Sequence, residues 1–307
     1  LKCVQTVTGR IPLDSLGHCQ LHEHLFVAPG PATERAPALL IDDPERSARE
    51  LADYARAGGS CVLDAQPGGA GRNAAVLRDI SLRTGVGIIA VTGYHADGFY
   101  REDDALLSAG ADELADRFLR ELREGCAEAP GVLPGAVKAA LNRDGCRGRV
   151  RERFLAAARS AREAGVPLIV HTEAGAGAAE AAALALAEGL AAHRVVICHA
   201  DRDADDFRRH EAIAETGVML EYDTIHRLKY HDDASEIRLI RHMLERGCAG
   251  QLLLSLDPTR ARLRSYGGDI GLDYILNAFA PALERSGIPA ETIRRITREN
   301  PKRVFDD

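Results

Sequence analysis

A chain of 307 residues with a formal net charge of −7 has no excess of positive charge with which to hold nucleic acid. No run approaches the ~20 apolar residues of a membrane-spanning helix. The composition, 46% hydrophobic and 28% charged, suits a globular chain with a substantial core, and the length leaves room for one large α/β domain or two medium ones.

The first segment, "VQTVTGRIPLDSLGH", reads as a short β-hairpin, and the opening "LKCVQTVTGR" carries no apolar signal core. Eight apolar runs of strand length follow: "QLHEHLFV" (20–27), "SCVLDA" (60–65), "GVGIIAVTG" (85–93), "GAVKAAL" (135–141), "PLIVHTE" (167–173), "RVVICHA" (194–200), "GVMLEYD" (217–223) and "QLLLSLD" (251–257). Runs that are apolar throughout mark strands buried on both faces, as in parallel sheets. Between them lie amphipathic segments, among them Pro44–Ala57, Asp112–Cys126, Val150–Ala164, Asp203–Glu215 and Ser235–Arg246. The first opens on Pro, and several end in Gly, as in "ARAGG" and "REAGV".

Eight strands, seven intervening helical segments and a helical tail from 270 onward predict an α/β fold, a (β/α)8 TIM barrel spanning 1–307 as one domain behind the hairpin. An open doubly wound sheet is the alternative. The Gly-rich stretches "QPGGAG" and "EAGAGA" do not form the GxGxxG of a dinucleotide site, and no Walker A sequence is present. Seven cysteines, odd in number and without a CxxC pair, read as free thiols in a reducing cytoplasm.

A barrel of this kind works at the C-terminal ends of its strands. There the first run carries His22 and His24, the fourth Lys138, the fifth His171, the sixth His199, the seventh Glu221 and Asp223, and the eighth Asp257. Alternation along a strand puts His22 and His24 on one side, facing the barrel axis, with Glu23 toward the helices. His-x-His alone is a metal chelate, a catalytic pair or a polar strand end. Lys138, inside an apolar strand, either reaches a rim or an acid, or stays neutral between metal ions. A neutral amine adds carbon dioxide to give a two-oxygen carbamate that bridges cations. Asp257, followed by Pro258, either opens a turn or binds metal and takes a proton from water.

Taken together, these motifs resemble the phosphotriesterase family of the amidohydrolase superfamily. "GHCQLHEHLFV" is similar to its HxH strand, the lysine of "GAVKAAL" to its N6-carboxylated lysine, "VPLIVHTEAG" and "VVICHADRDAD" to its two later histidine motifs, and "LLLSLDPTR" to its aspartate motif. The resemblance implies two divalent ions, zinc foremost. His22, His24 and Asp257 would hold the more buried ion and His171 and His199 the more exposed one. Carboxylated Lys138 and a hydroxide would bridge them, and Asp257 would relay the proton. It also implies a soluble enzyme, a possible homodimer, that hydrolyses an ester or lactone by attack of the bridging hydroxide.

Substrate choice belongs to the loops after the strands. The loop after the seventh strand carries His226, Arg227, Lys229 and Tyr230; the loop after the eighth carries Arg260, Arg262, Arg264 and Tyr266. Such loops suit an anionic small molecule. They resemble those of family members that open phosphorylated sugar lactones, although Leu263 stands where those members place a tyrosine. Arg227, Lys229 and Arg260 are the candidate anion contacts, with Arg262 and Arg264 on a solvated rim. Tyr94 and His95 stand near the mouth, and 28–44 forms a mobile rim. The leading substrate is a phosphorylated or carboxylated sugar lactone. A phosphotriester, an N-acyl amino acid and a catalytically silent metal-binding barrel are the alternatives.

Overall fold

The computed structural model describes residues 2–306. Strands β1 (Cys3–Thr6) and β2 (Gly9–Pro12) form the expected antiparallel hairpin. Eight parallel strands then build one sheet: β3 (His18–Glu23), β4 (Gly59–Asp64) and β5 (Gly87–Gly93), then, after the two-residue strands β6 (Gly125–Cys126) and β7 (Ala129–Pro130), β8 (Ala136–Ala140), β9 (Leu168–His171), β10 (Val195–Cys198), β11 (Met219–Tyr222) and β12 (Leu252–Leu254). Every predicted run contains or overlaps one of the eight barrel strands, and a helix lies between each of them and the next, as a (β/α)8 barrel requires.

Local sequence sets the helix limits. Helix Pro44–Arg56 starts on Asp43, whose carboxylate accepts the N–H groups of Glu45 and Arg46, with Pro at its first position. Helix Gly148–Ala164 stops where Gly165 turns left-handed at φ 67°. The segment 28–44, expected as a mobile rim, carries the helix Pro31–Arg35, and its Ile41 bridges to Val27 just before it.

The barrel interior is filled from alternating positions: Cys19 and Leu21, Leu63, Ile89 and Val91, Ile169, Val196 and Met219. Val4, Leu13 and Leu16 of the hairpin region and Val304 of the C-terminal helix pack against the same core.

The first and last strands meet through a polar seam. Asp257 N–H donates to the His22 carbonyl (3.1 Å), His22 N–H to Ser255 Oγ (3.0 Å), and Leu256 N–H to Glu23 Oε1 (2.9 Å). A register shift between Gln20 and Glu23 interrupts simple alternation there. Glu23, expected toward the helices, is fully buried and spends its carboxylate on this seam.

Gly93 ends β5 opposite Lys138 with φ +106°, and a Cβ built there would stand 1.9 Å from the Lys138 carbonyl oxygen. Both the left-handed backbone and this contact demand glycine. Gly93→Ala should lower stability by more than about 2 kcal/mol in urea unfolding; an unchanged midpoint would contradict this packing.

Candidate metal centre

The strand ends deliver one convergent group of side chains. His22 comes from β3 and His24 from just past it, Lys138 from β8, His171 from β9, His199 just past β10, and Asp257 past β12. His199 (φ 66°) and Asp257 (φ 42°) have left-handed backbones, as do Ala174 and His226 beyond β9 and β11. Each such kink costs roughly 1–3 kcal/mol and re-aims the chain where a strand becomes a loop.

Lys138 is fully buried, with Nζ 3.1 Å from His22 Nε2. Burial pushes its ammonium below the ordinary lysine range, favouring the neutral amine. The imidazoles are shifted the same way, burial again being the largest cause. His22 and His199 are held well below the usual value and His171 at about 4. At neutral pH all three are uncharged and carry a lone pair, the form that ligates metal.

Asp223, at the end of β11, fixes which nitrogen carries that lone pair. It is fully buried, with Oδ1 2.7 Å from His199 Nδ1 and Oδ2 2.9 Å from His22 Nδ1, the latter off the line of an ideal hydrogen bond. A carboxylate there draws the ring proton to Nδ1 on both rings, leaving both Nε2 atoms bare. His199 Nε2 faces His171 Nδ1 at 2.9 Å. His171 Nε2 in turn lies 3.2 Å from Glu173 Oε1. His24 Nε2 is 3.2 Å from Asp257 Oδ1, and His22 Nε2 is 3.9 Å from the same oxygen.

Asp257 is the most charged point of the group. Burial alone would raise its carboxyl, but Arg227, whose Nη1 donates to Oδ2 at 2.5 Å, and the neighbouring His199 and His24 hold it well below the usual carboxylate range. Donor atoms of His22, His24 and Asp257 lie within 4.8 Å of one another, as do those of His22, His199 and Asp223. Neutral imidazoles, an ionised carboxylate and a buried amine form a donor set that fits divalent cations.

Asp223 was visible in the sequence but given no role. Met219, Glu221 and Asp223 share one face of β11 by alternation, which was the available signal. Glu221 sits a layer deeper and accepts from Ser255 Oγ (2.6 Å), and burial, as the first cause, pushes its carboxyl up to about 8.

A cavity of about 160 Å³ opens over the group; His22, His24, His171, His199 and Asp257 line it, with Arg202 and Arg227 on its wall. His95 also lines it, stacked on Phe99 at 3.5 Å. A second cavity of about 380 Å³ adjoins it, sharing Arg227 and Thr259 and adding His226 and Lys229. Two candidate substrate contacts lie elsewhere. Tyr94 is fully buried in the shell between barrel and helices, beneath the Arg153 guanidinium. Arg260 pairs with Asp42 (3.2 Å) and lies over the Tyr266 ring. Arg262, expected on a solvated rim, is a clamp instead: its guanidinium donates to the carbonyls of Leu256, Asp257 and Ile225. Arg202, not among the candidate residues read from the sequence, lies 3.6 Å from Asp257 Oδ2 and 3.4 Å from Glu173 Oε2.

Such a donor set at the mouth of such a barrel defines a metal-dependent hydrolase. The chain belongs to the phosphotriesterase family, whose model matches residues 2–305. Among curated relatives it is 30% identical to a phospho-furanose lactonase of Mycoplasmopsis synoviae, covering 100% of this chain and 93% of that protein. Among solved structures it superposes on a lactonase from Listeria monocytogenes with a TM-score of 0.92 at 26% identity, covering 99% of each chain. A phosphotriesterase homology protein from Escherichia coli, solved with phosphate in its active site, matches with a TM-score of 0.88 at 27% identity, over 94% of this chain and 99% of that one. Among the described residues no helix is long and apolar enough to cross a membrane.

Asp223→Asn keeps the shape but weakens the pull on the two Nδ1 protons. Zinc affinity, titrated against a competing chelator, should fall roughly 10- to 100-fold; unchanged affinity would remove Asp223 from this role.

Proposed function

We propose that this protein hydrolyses an anionic lactone, a phosphorylated or carboxylated sugar lactone, at a two-metal centre. The observation that carries the reading is the convergence of neutral imidazoles, buried Lys138 and ionised Asp257 under a cavity walled by Arg202 and Arg227. His22, His24 and Asp257 would hold one ion and His171 and His199 the other, zinc suiting this mixture of nitrogen and oxygen donors. When bound, two such ions polarise the ester carbonyl and supply an activated water at neutral pH.

Lys138 would bridge them as a carbamate. The lone pair of the neutral form of Nζ adds to the carbon of carbon dioxide, one proton leaves, and a carbamate results whose single negative charge is shared by two oxygens. Burial lowers the amine pKa and so favours the form whose lone pair is available. Asp257 accepts the proton of the attacking water at Oδ1, while Arg227 holds Oδ2 and keeps the carboxylate ionised. Asp257 can then return that proton to the alkoxide released as the ring opens.

The substrate's charge is read by guanidinium groups. Arg202 and Arg227 face the cavity, and Lys229 stands in the adjoining one, 5.2 Å over the Tyr230 ring. An anionic group reaching from the metal centre past Thr259 would meet these charges. The lactonase relatives, and the phosphate in the E. coli structure, support this choice.

The test is steady-state kinetics of the zinc-loaded protein and of Lys229→Ala on a matched set: a phosphorylated lactone, its neutral analogue, an N-acyl amino acid and a phosphotriester. The phosphorylated lactone should give the highest kcat/KM. Lys229→Ala should raise KM for it about fivefold, the scale of an exposed ion pair, and leave the neutral lactone unchanged. A preference for the amide or the phosphotriester, or equal changes for both lactones, would contradict the reading.

A further inference from the structure

One residue beyond Asp223 the chain enters a second buried polar cluster, which lines neither cavity. It joins Asp201, from the turn Ala200–Asp203 after β10, with Thr224, with His231 from the loop after β11, and with Glu236 from helix Asp233–Glu245. Asp201 and Glu236 are fully buried, and the His231 side chain is 6% exposed.

The cluster has an excess of acceptors. Asp201 Oδ2 takes the N–H and the hydroxyl of Thr224, at 2.6 and 2.7 Å, while Oδ1 has no hydrogen-bond partner. Neither Glu236 oxygen has an aligned donor; Oε2 lies 3.2 Å from His231 Nε2. His231 Nδ1 lies 3.2 Å from the Asp232 carbonyl, which can only accept, so Nδ1 carries the ring proton. Nε2 then presents a bare lone pair. Thr224 Oγ1, 3.1 Å from it, has already given its one proton to Asp201. Among the described residues no lysine or arginine nitrogen comes within ion-pair distance of either carboxylate. Two buried carboxylates and an imidazole lone pair thus converge with their donor atoms within 4.8 Å of one another and no positive charge between them.

We propose that Asp201, His231 and Glu236 hold a further divalent metal ion, separate from the centre in the cavity. Two carboxylates neutralise a dication, and a site of one nitrogen and two oxygens suits zinc rather than calcium or magnesium, which favour oxygen alone. The carbonyl that fixes the His231 tautomer is the outer support that metal-binding histidines require. The ion would pin the turn after His199 and the loop that holds Arg227 and Lys229 to helix Asp233–Glu245. Its role is therefore structural, holding the cavity wall, and the proposal stands whether or not the cavity binds two ions.

The test compares zinc per chain, by elemental mass spectrometry after dialysis, in wild type, Glu236→Gln and His231→Gln, with folding checked by circular dichroism. Each folded variant should hold one zinc fewer than wild type. Because the count is a difference, the number of ions in the cavity cancels. Wild-type zinc content in either folded variant overturns the proposal. Crystals of the wild type grown with zinc give a reading that needs no variant. An anomalous-scattering peak among the three side chains supports the site; its absence means that the cluster holds protons instead, and overturns it.

Discussion

A single buried carboxylate, that of Asp223, sets the chemistry of the centre. It touches the Nδ1 atoms of His22 and His199, rings from opposite parts of the chain, and so leaves both Nε2 lone pairs available. An isolated buried carboxylate would be costly, and burial pushes the Asp223 carboxyl well above its ordinary range. The His199 Nδ1–H bond offsets part of that cost, while His22 Nδ1 lies 2.9 Å away without an aligned hydrogen bond. The same burial that penalises the acid keeps the imidazoles of His22, His171 and His199 neutral and shifts Lys138 toward its neutral amine, so desolvation acts on four side chains in the same direction.

The barrel supplies the convergence. His22 and Asp257 are far apart in sequence, yet their backbones bond directly where the sheet closes. The seam is polar because its neighbours Ser255, Glu23 and Glu221 stand in for regular strand pairing. Left-handed backbone at His199 and Asp257 then tips these residues off their strands. The strain is tolerated because packed strands beneath leave the kinks no room to relax. Gly93 contributes from the other side, permitting β5 to lie close against the carbonyl of Lys138.

The barrel was legible because its strands are buried on both faces and so read as unbroken apolar runs, with Pro and Gly punctuating the helices between them. The residues that converge at the strand ends were legible for the same reason: a histidine or lysine stands out at the end of "LIVH" or inside "AVKAA". What alternation could not convey was the register shift at Gln20–Glu23, which turned Glu23 from the helices to the seam. Nor could it rank Glu221 against Asp223, since both face inward and only depth separates them. Loop side chains were least legible. Arg260 and Arg262 are two residues apart in one basic stretch, yet one pairs with Asp42 at the surface and the other clamps three carbonyls. Their directions follow from the left-handed turn at Asp257 and from partners distant in sequence, neither of which has a local signal.

The central proposal is that Lys138, whose burial favours the neutral amine, becomes the anionic bridge of a two-metal centre. Carbon-13 NMR of the zinc-loaded protein in labelled bicarbonate tests it directly. The account predicts a carbamate resonance in wild type that is absent from Lys138→Ala, with loss of bound zinc in the variant. A zinc-loaded wild type without that resonance, or one that persists in Lys138→Ala, would contradict it.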